Sequence, residues 1–208
     1  MGKVKIEKKD IWIDMTPMSD VMVLLLTFFM LTSTFVKNEP VKVNTPGSVS
    51  EIKVPEKDVL AVSVSKDGKV FISVDNANDL VSIVNAVTEK YGVDLNAQQI
   101  EALKKHSMLG VSVEKLPAYL NLPEDQMSEA IQKEGIPTDS IDDGNGTKGK
   151  SEFQTWISEA VNVNEDIKIA IKADADTPYK AIKTVMSELQ DMSQNRYYLI
   201  TSLKKEED

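Results

Sequence analysis

The sequence predicts an α+β protein: a single N-terminal transmembrane helix, then a small β-sheet domain in ββ-α-β-α-β order with helices on one face, carrying a helical insertion. Three observations predict it. A run from Met15 to Val36, 22 residues, is interrupted by one charge, Asp20, and about 20 helical residues cross a hydrocarbon core of roughly 30 Å. Beyond it, short runs of alternating apolar residues are separated by stretches whose apolar residues recur every three or four positions, the periods of half-buried strands and amphipathic helices. Between the two lies a proline-bearing stretch with Pro40, Pro46 and Pro55. The chain thus divides into a tail (1–14), a membrane helix (15–36), an extended linker (37–58) and a domain (59–208) with its insertion at about 93–150.

The linker reads as an extended tether or edge-strand segment, since its prolines and scattered charges sustain no period. Leu60, Val62 and Val64 alternate, Lys66-Asp67-Gly68-Lys69 follows, and alternation resumes over Val70–Val74; Asp-Gly between such runs signals a hairpin. Leu80, Ile83, Val84 and Val87 recur at helical spacing after the cap candidates Asn76 and Asn78, and Tyr91-Gly92 ends that helix. In the insertion, short helices are expected around Ile100 and Leu103, at Leu116–Leu120, and at Pro123–Lys133 with Asn121 or Leu122 at its cap and Gly135 at its stop. The stretch 142–150 reads as a flexible loop. Phe153, Trp156, Ile157 and Ala160 then share a helical face, and Ile167, Ile169 and Ile171 alternate as a half-buried strand. Thr177-Pro178 would cap a helix with Tyr179, Ile182, Val185, Met186 and Leu189 inward, before a last strand at Tyr197–Thr201.

Composition narrows the function. The net charge is −9, and up to Val36 four lysines balance four acids, so the excess belongs to the domain. An acidic domain is a poor partner for nucleic acid. With no cysteine there is no disulfide framework or thiolate metal site. His106 is the only histidine, and no nucleophile-elbow, phosphate-loop or H-E-x-x-H pattern occurs. No enzyme, cofactor or metal site is therefore expected. A calcium-loop pattern over 141–152 fails at its first ligand place, held by Ile141, and Asp174 with Asp176 suits a solvated strand-to-helix turn as well as a cation site. A cleaved signal peptide would have to hold Glu7, Asp10 and Asp14 in its basic region and Asp20 in its apolar core. Lys3, Lys5, Lys8 and Lys9 before the span, against Lys37, Lys42 and Lys53 after it, favour a cytoplasmic N-terminus. Trp12 fits an interfacial anchor, whereas Trp156 fits the core.

Asp20 is the residue that asks for a reason, because an ionised Asp at a membrane helix centre costs on the order of 3 kcal/mol on insertion scales. At 100° per residue, Asp20, Leu24, Thr27, Leu31 and Thr34 lie on one stripe, with Thr16 a turn before Asp20. Such a seam suits a helix facing a protein partner. Two alternatives stand beside this. In the first, each threonine bonds its own preceding turn; in the second, Asp20 or Ser19 caps a helix that starts near Val21.

The string Thr16-Pro17-x-x-Asp20-Val21-Met22-x-Leu24-Leu25-Leu26-x-x-Phe29-Met30 resembles the membrane segment of the ExbD/TolR family. Val41-Lys42-Val43-Asn44-x-Pro46 resembles the segment that follows it, and Asp67-Gly68-Lys69 the family's first hairpin. Ile169 to Asp174, Thr177-Pro178-Tyr179 and Val185-Met186 resemble its C-terminal strand and helix. The insertion resembles that of a longer ExbD-like subgroup. The resemblance implies a single-pass subunit of a proton-motive motor in the bacterial inner membrane, partnered by a polytopic ExbB/TolQ-like protein. It further implies a homodimer within a larger complex, a periplasmic domain that drives a TonB/TolA-like protein, and Asp20 as the proton-binding residue. The rival reading is a membrane-tethered binding module that grips peptidoglycan or another envelope protein, with the helix a mere anchor.

Overall fold

The computed structural model describes residues 15–32, 40–48, 55, 57–106, 108–142 and 148–203. It divides into two compact units, Met1–Asn38 and Glu39–Asp208. In the first, helix α1 spans Thr16–Thr32, 17 residues. The predicted 15–36 span is thus described only in part, and no helix among the described residues is long and apolar enough to cross a membrane. At 1.5 Å per residue α1 is about 25 Å long, short of a roughly 30 Å hydrocarbon core. Ser33 to Val36 and Trp12 lie outside the described residues.

The second unit is a mixed α+β fold. Its elements are β1 (Gly47–Ser48), β2 (Val59–Val64), β3 (Val70–Val74), α2 (Ala77–Tyr91), α3 (Ala97–Lys105), β4 (Met108–Leu109), a 3₁₀ turn (Val113–Lys115), α4 (Leu116–Leu120), α5 (Glu124–Lys133), β5 (Ser140–Asp142), β6 (Lys148–Ser151), α6 (Glu152–Val163), β7 (Lys168–Ala173), α7 (Tyr179–Asp191), β8 (Tyr197–Ile200) and β9 (Ser202–Leu203). Strands order as β4-β3-β2-β7-β8 in the main sheet. β2 runs antiparallel to β3 and parallel to β7, and β8 runs parallel to β7.

Local chemistry explains the boundaries. Gly68 at φ 78° closes the β2–β3 turn with its N–H donating to Ser65 O, a left-handed conformation that L side chains disfavour. α2 starts where the Asn76 side chain accepts from the Asn78 N–H, and it stops at Gly92, φ 67°. α6 starts at a capping box, with Gln154 N–H donating to Ser151 Oγ and Ser151 N–H to Gln154 Oε1.

One sheet face carries Leu60, Val62, Val64, Val70, Ile72, Val74, Ile169 and Ile171, which join the core with Leu80, Ile83 and Val84 of α2, Phe153 and Trp156 of α6, and Val185 and Leu189 of α7. The other face is not bare, as a one-faced helical layer would leave it. Phe71, Ser63 and Ala170 there are buried as well, and a side chain built on Gly110 would meet both the Phe71 ring and Ile131 of α5. On β7 the burial of this second face is confined to Ala170: Lys168 is exposed and Lys172 partly so, and the strand is otherwise half-buried as its Ile-Lys alternation suggests.

The insertion departs from its helical reading in two ways. Met108 and Leu109 form β4 and extend the sheet beyond β3, and the ends of the expected loop 142–150 pair as β5 and β6. α5 is capped at Pro123, past both cap candidates, Asn121 and Leu122. For α7, Val185 and Leu189 are buried and Met186 packs against the core as expected, Ile182 is half-buried, and Tyr179 departs from its inward reading at 76% exposed. The Thr177 hydroxyl donates to Ser65 O, at the end of β2, and so does not serve as a helix cap.

Candidate functional site

The helical wheel of α1 brings Asp20, Leu24, Thr27 and Leu31 onto one face, with Thr16 a turn earlier. Thr34 lies outside the described residues. Because α1 begins at Thr16, and Ser19 N–H already donates to Met15 O, Asp20 sits in the second turn, inside the helix and past its cap. Pro17 falls in the first turn, where a missing N–H costs nothing. Thr27 Oγ1 donates to Leu24 O at 2.9 Å and Thr32 Oγ1 to Phe28 O at 2.8 Å, so Thr27 bonds its own preceding turn, as one of the two readings of the stripe expects. Every residue of α1 is exposed in the single chain.

The domain holds polar groups that sequence periodicity does not reveal. The linker residues 40–48 lie against the domain: Asn44 N–H donates to Asp174 Oδ2 at 2.9 Å, Ala175 N–H to Asn44 O, Gln132 Nε2 to Pro40 O, and Ser202 N–H to Pro46 O. The Asp176 and Asn44 N–H bonds hold the Asp174 carboxyl below its ordinary range. Asp174 is therefore a clasp for the linker, and no group of residues that could hold a metal ion occurs among the described residues.

Besides Glu159, two further glutamates of α6 and α7 are buried, Glu152 and Glu188. Glu152 Oε1 accepts from Val113 N–H at 2.8 Å and Oε2 from Ser112 Oγ at 3.0 Å, while Trp156 Nε1 lies 3.5 Å from Oε1. That ties the 3₁₀ turn of the insertion to the core and turns the last residue of the calcium-like pattern inward. Burial pushes the Glu152 carboxyl up, the three hydrogen bonds pull it back in part, and Glu114 pushes it further up. A carboxyl raised on folding favours the folded state most below its unfolded value, and that contribution is lost as pH rises through the folded value. Glu152→Gln keeps the shape without the charge. Its stability relative to the parent, from urea unfolding, is expected to improve between pH 4 and pH 7; an equal difference at both pH values would show Glu152 to be solvated.

The second, Glu188 on α7, accepts from Ser151 Oγ at 2.6 Å through Oε2. Gln154 Nε2 donates to the Glu188 carbonyl at 3.4 Å. Glu188 and Gln154 border a cleft of about 520 Å³ between α6, α7 and the end of β6.

The chain is similar in sequence to known proteins. The family described as biopolymer transport protein ExbD/TolR matches residues 7–204. A Vibrio cholerae protein named biopolymer transport protein exbD2 is 26% identical over 109 residues, covering 52% of this chain and 67% of that protein. A Pseudomonas aeruginosa protein named biopolymer transport protein ExbD is 36% identical over 63 residues, covering 30% of this chain and 47% of that protein. No solved structure matches.

Proposed function

Because the chain belongs to the ExbD/TolR family of biopolymer transport proteins, we propose that it is the single-pass subunit of a proton-motive motor in the bacterial inner membrane. In this reading α1 and the uncharged residues after it form the span, the N-terminus is cytoplasmic and the α+β domain is periplasmic. A polytopic ExbB/TolQ-like protein encloses two copies of the helix, and the domain passes motion to a TonB/TolA-like protein. The observation that carries it is the lone carboxylate of Asp20 within an otherwise uncharged helix. Enclosed by a partner, that carboxyl would be neutral when loaded with a proton and ionised when emptied. Leu24, Thr27, Leu31 and Thr34 would then face the partner along the same stripe.

Replacing Met15–Val36 by a neutral leucine-rich helix of equal length tests this against a mere anchor. Transport is expected to fall to background while the protein stays in the membrane fraction. Undiminished transport would assign the helix to anchoring and the function to a domain that grips peptidoglycan or another envelope component.

A further inference from the structure

We propose that the cleft between α6 and α7 receives a lysine or arginine side chain presented by a partner protein. The site lies wholly in the domain, and the inference does not depend on the proton-site reading of Asp20.

The head of the cleft is acidic. Glu188 is only 8% exposed; its Oε2 is held by Ser151, and no buried polar atom among the described residues lacks a partner, so Oε1 opens on the cleft it borders. Asp191 lies one helical turn further along α7 on the same wall. The Ser151 and Gln154 bonds fix Glu188 before any ligand arrives, and a prefixed acceptor spares a ligand the cost of ordering it.

The facing wall is a polar row. Gln154, Ser158 and Asn162 follow at four-residue spacing along α6 and all border the cleft, offering amide and hydroxyl oxygens to the remaining protons of an ammonium or guanidinium. The floor is apolar, formed by Ile157, Val161 and Met192, which suits the methylene stem of a long basic side chain. About 520 Å³ exceeds what a single ion needs and falls within the range of sites for a side chain with its flanking backbone.

Charge complementarity selects a basic occupant. Lys150 also borders the cleft, so the lining sets two carboxylates, Glu188 and Asp191, against one ammonium, a net negative charge that favours a cation. The acidic excess of the chain, −9 overall, steers cations toward it. Since Gly149 and Lys150 come from the end of the insertion, one wall of the cleft exists only because the insertion does.

The test uses the isotope-labelled full chain in nanodiscs, titrated with capped Gly-Lys-Gly and Gly-Arg-Gly peptides, with capped Gly-Gln-Gly and with 1,5-diaminopentane. The side-chain amide signals of Gln154, Asn162 and Gln194 are expected to move with the two basic peptides and to stay with the glutamine peptide. Glu188→Gln, which keeps an oxygen for Ser151, and the exposed Asp191→Asn should each raise the half-saturating concentration about tenfold. Equal responses to the glutamine peptide, or unchanged saturation in Asp191→Asn, would overturn the proposal. Tighter binding of diaminopentane than of either basic peptide would assign the cleft to a free amine and overturn it too.

Discussion

Asp20→Asn is expected to abolish energised transport and leave assembly intact. Asparagine has nearly the volume and shape of aspartic acid, so α1 should form as before, and a neutral amide enters a membrane more readily than a charge. What it cannot do is change charge. A unit charge crossing 100 mV is worth about 2.3 kcal/mol, close to a fifty-fold bias between two positions of the helix. An asparagine feels none of that bias. The expected result is transport at background with unchanged recovery of the complex; Asp20→Glu, which keeps the carboxyl on a longer stem, should retain a measurable part. Full transport in Asp20→Asn would remove Asp20 from the mechanism. The helix placement bears on this choice. An aspartate at the helix cap would contribute a hydrogen bond that asparagine reproduces, whereas Asp20 lies in the second turn, with a helical residue on either side.

The second large effect concerns the domain. In Gly110→Ala the new Cβ would lie 2.1 Å from Phe71 Cδ1, 2.7 Å from Cε1 and 3.0 Å from Ile131 Cγ1. Phe71 is fully buried, and its ring has no open side to move into, so either the ring leaves its position or β4 leaves the sheet. Overpacking of this kind typically costs about 1–3 kcal/mol. β4 pairs only Leu109 with Ile72 and Met108 with Ser73, so it is the weaker of the two. Urea unfolding should show a loss of about 2 kcal/mol or more, with faster amide exchange at Leu109. Phe71→Ala alone should cost about 3–5 kcal/mol, but adding Gly110→Ala to it should cost little, because the methyl then enters the space the ring vacated. A full additional cost in the double variant would show that Gly110 is needed for its backbone and not for its closeness to Phe71.

Much of the domain is legible in the sequence where a physical period dominates. The β2–β3 hairpin follows from alternation around Asp67-Gly68, and α2 and α6 follow from apolar residues spaced to one face with polar caps at Asn76 and Ser151. Failures occur where tertiary pairing overrides local pattern. β4 is two residues long and carries no period. Ala170 reads as the outward residue of an alternating strand, yet β2 and β8 on either side, with cover on both faces, bury it. Tyr179 reads as inward because it continues the helical spacing of Ile182, Val185, Met186 and Leu189, although it stands exposed at the start of α7.

The candidate sites divide the same way. Asp20 stands out because a charge in an apolar run is anomalous by itself. The Glu188 cleft leaves no such trace, since Lys150, Gln154 and Asp191 come together only when α6 and α7 pack. Glutamate is also among the residues least expected to be buried. Polar residues among the inward apolar ones, as at Gln154, Glu159 and Glu188, are the one signal that could have pointed there.

The parallel pairing of β2 with β7 sets when this domain can acquire structure. Val59 meets Lys168 and Val64 meets Ala173, about 110 residues apart along the chain, with the whole insertion between them. Synthesis at roughly 5–20 residues per second therefore leaves β2 and β3 waiting on the order of 5–20 s for the strand that completes their sheet. A two-stranded hairpin is marginal in water by itself. Folding of the sheet is consequently a late event, deferred until the chain has grown past Ala173, and the apolar face of the first hairpin needs shelter throughout that interval.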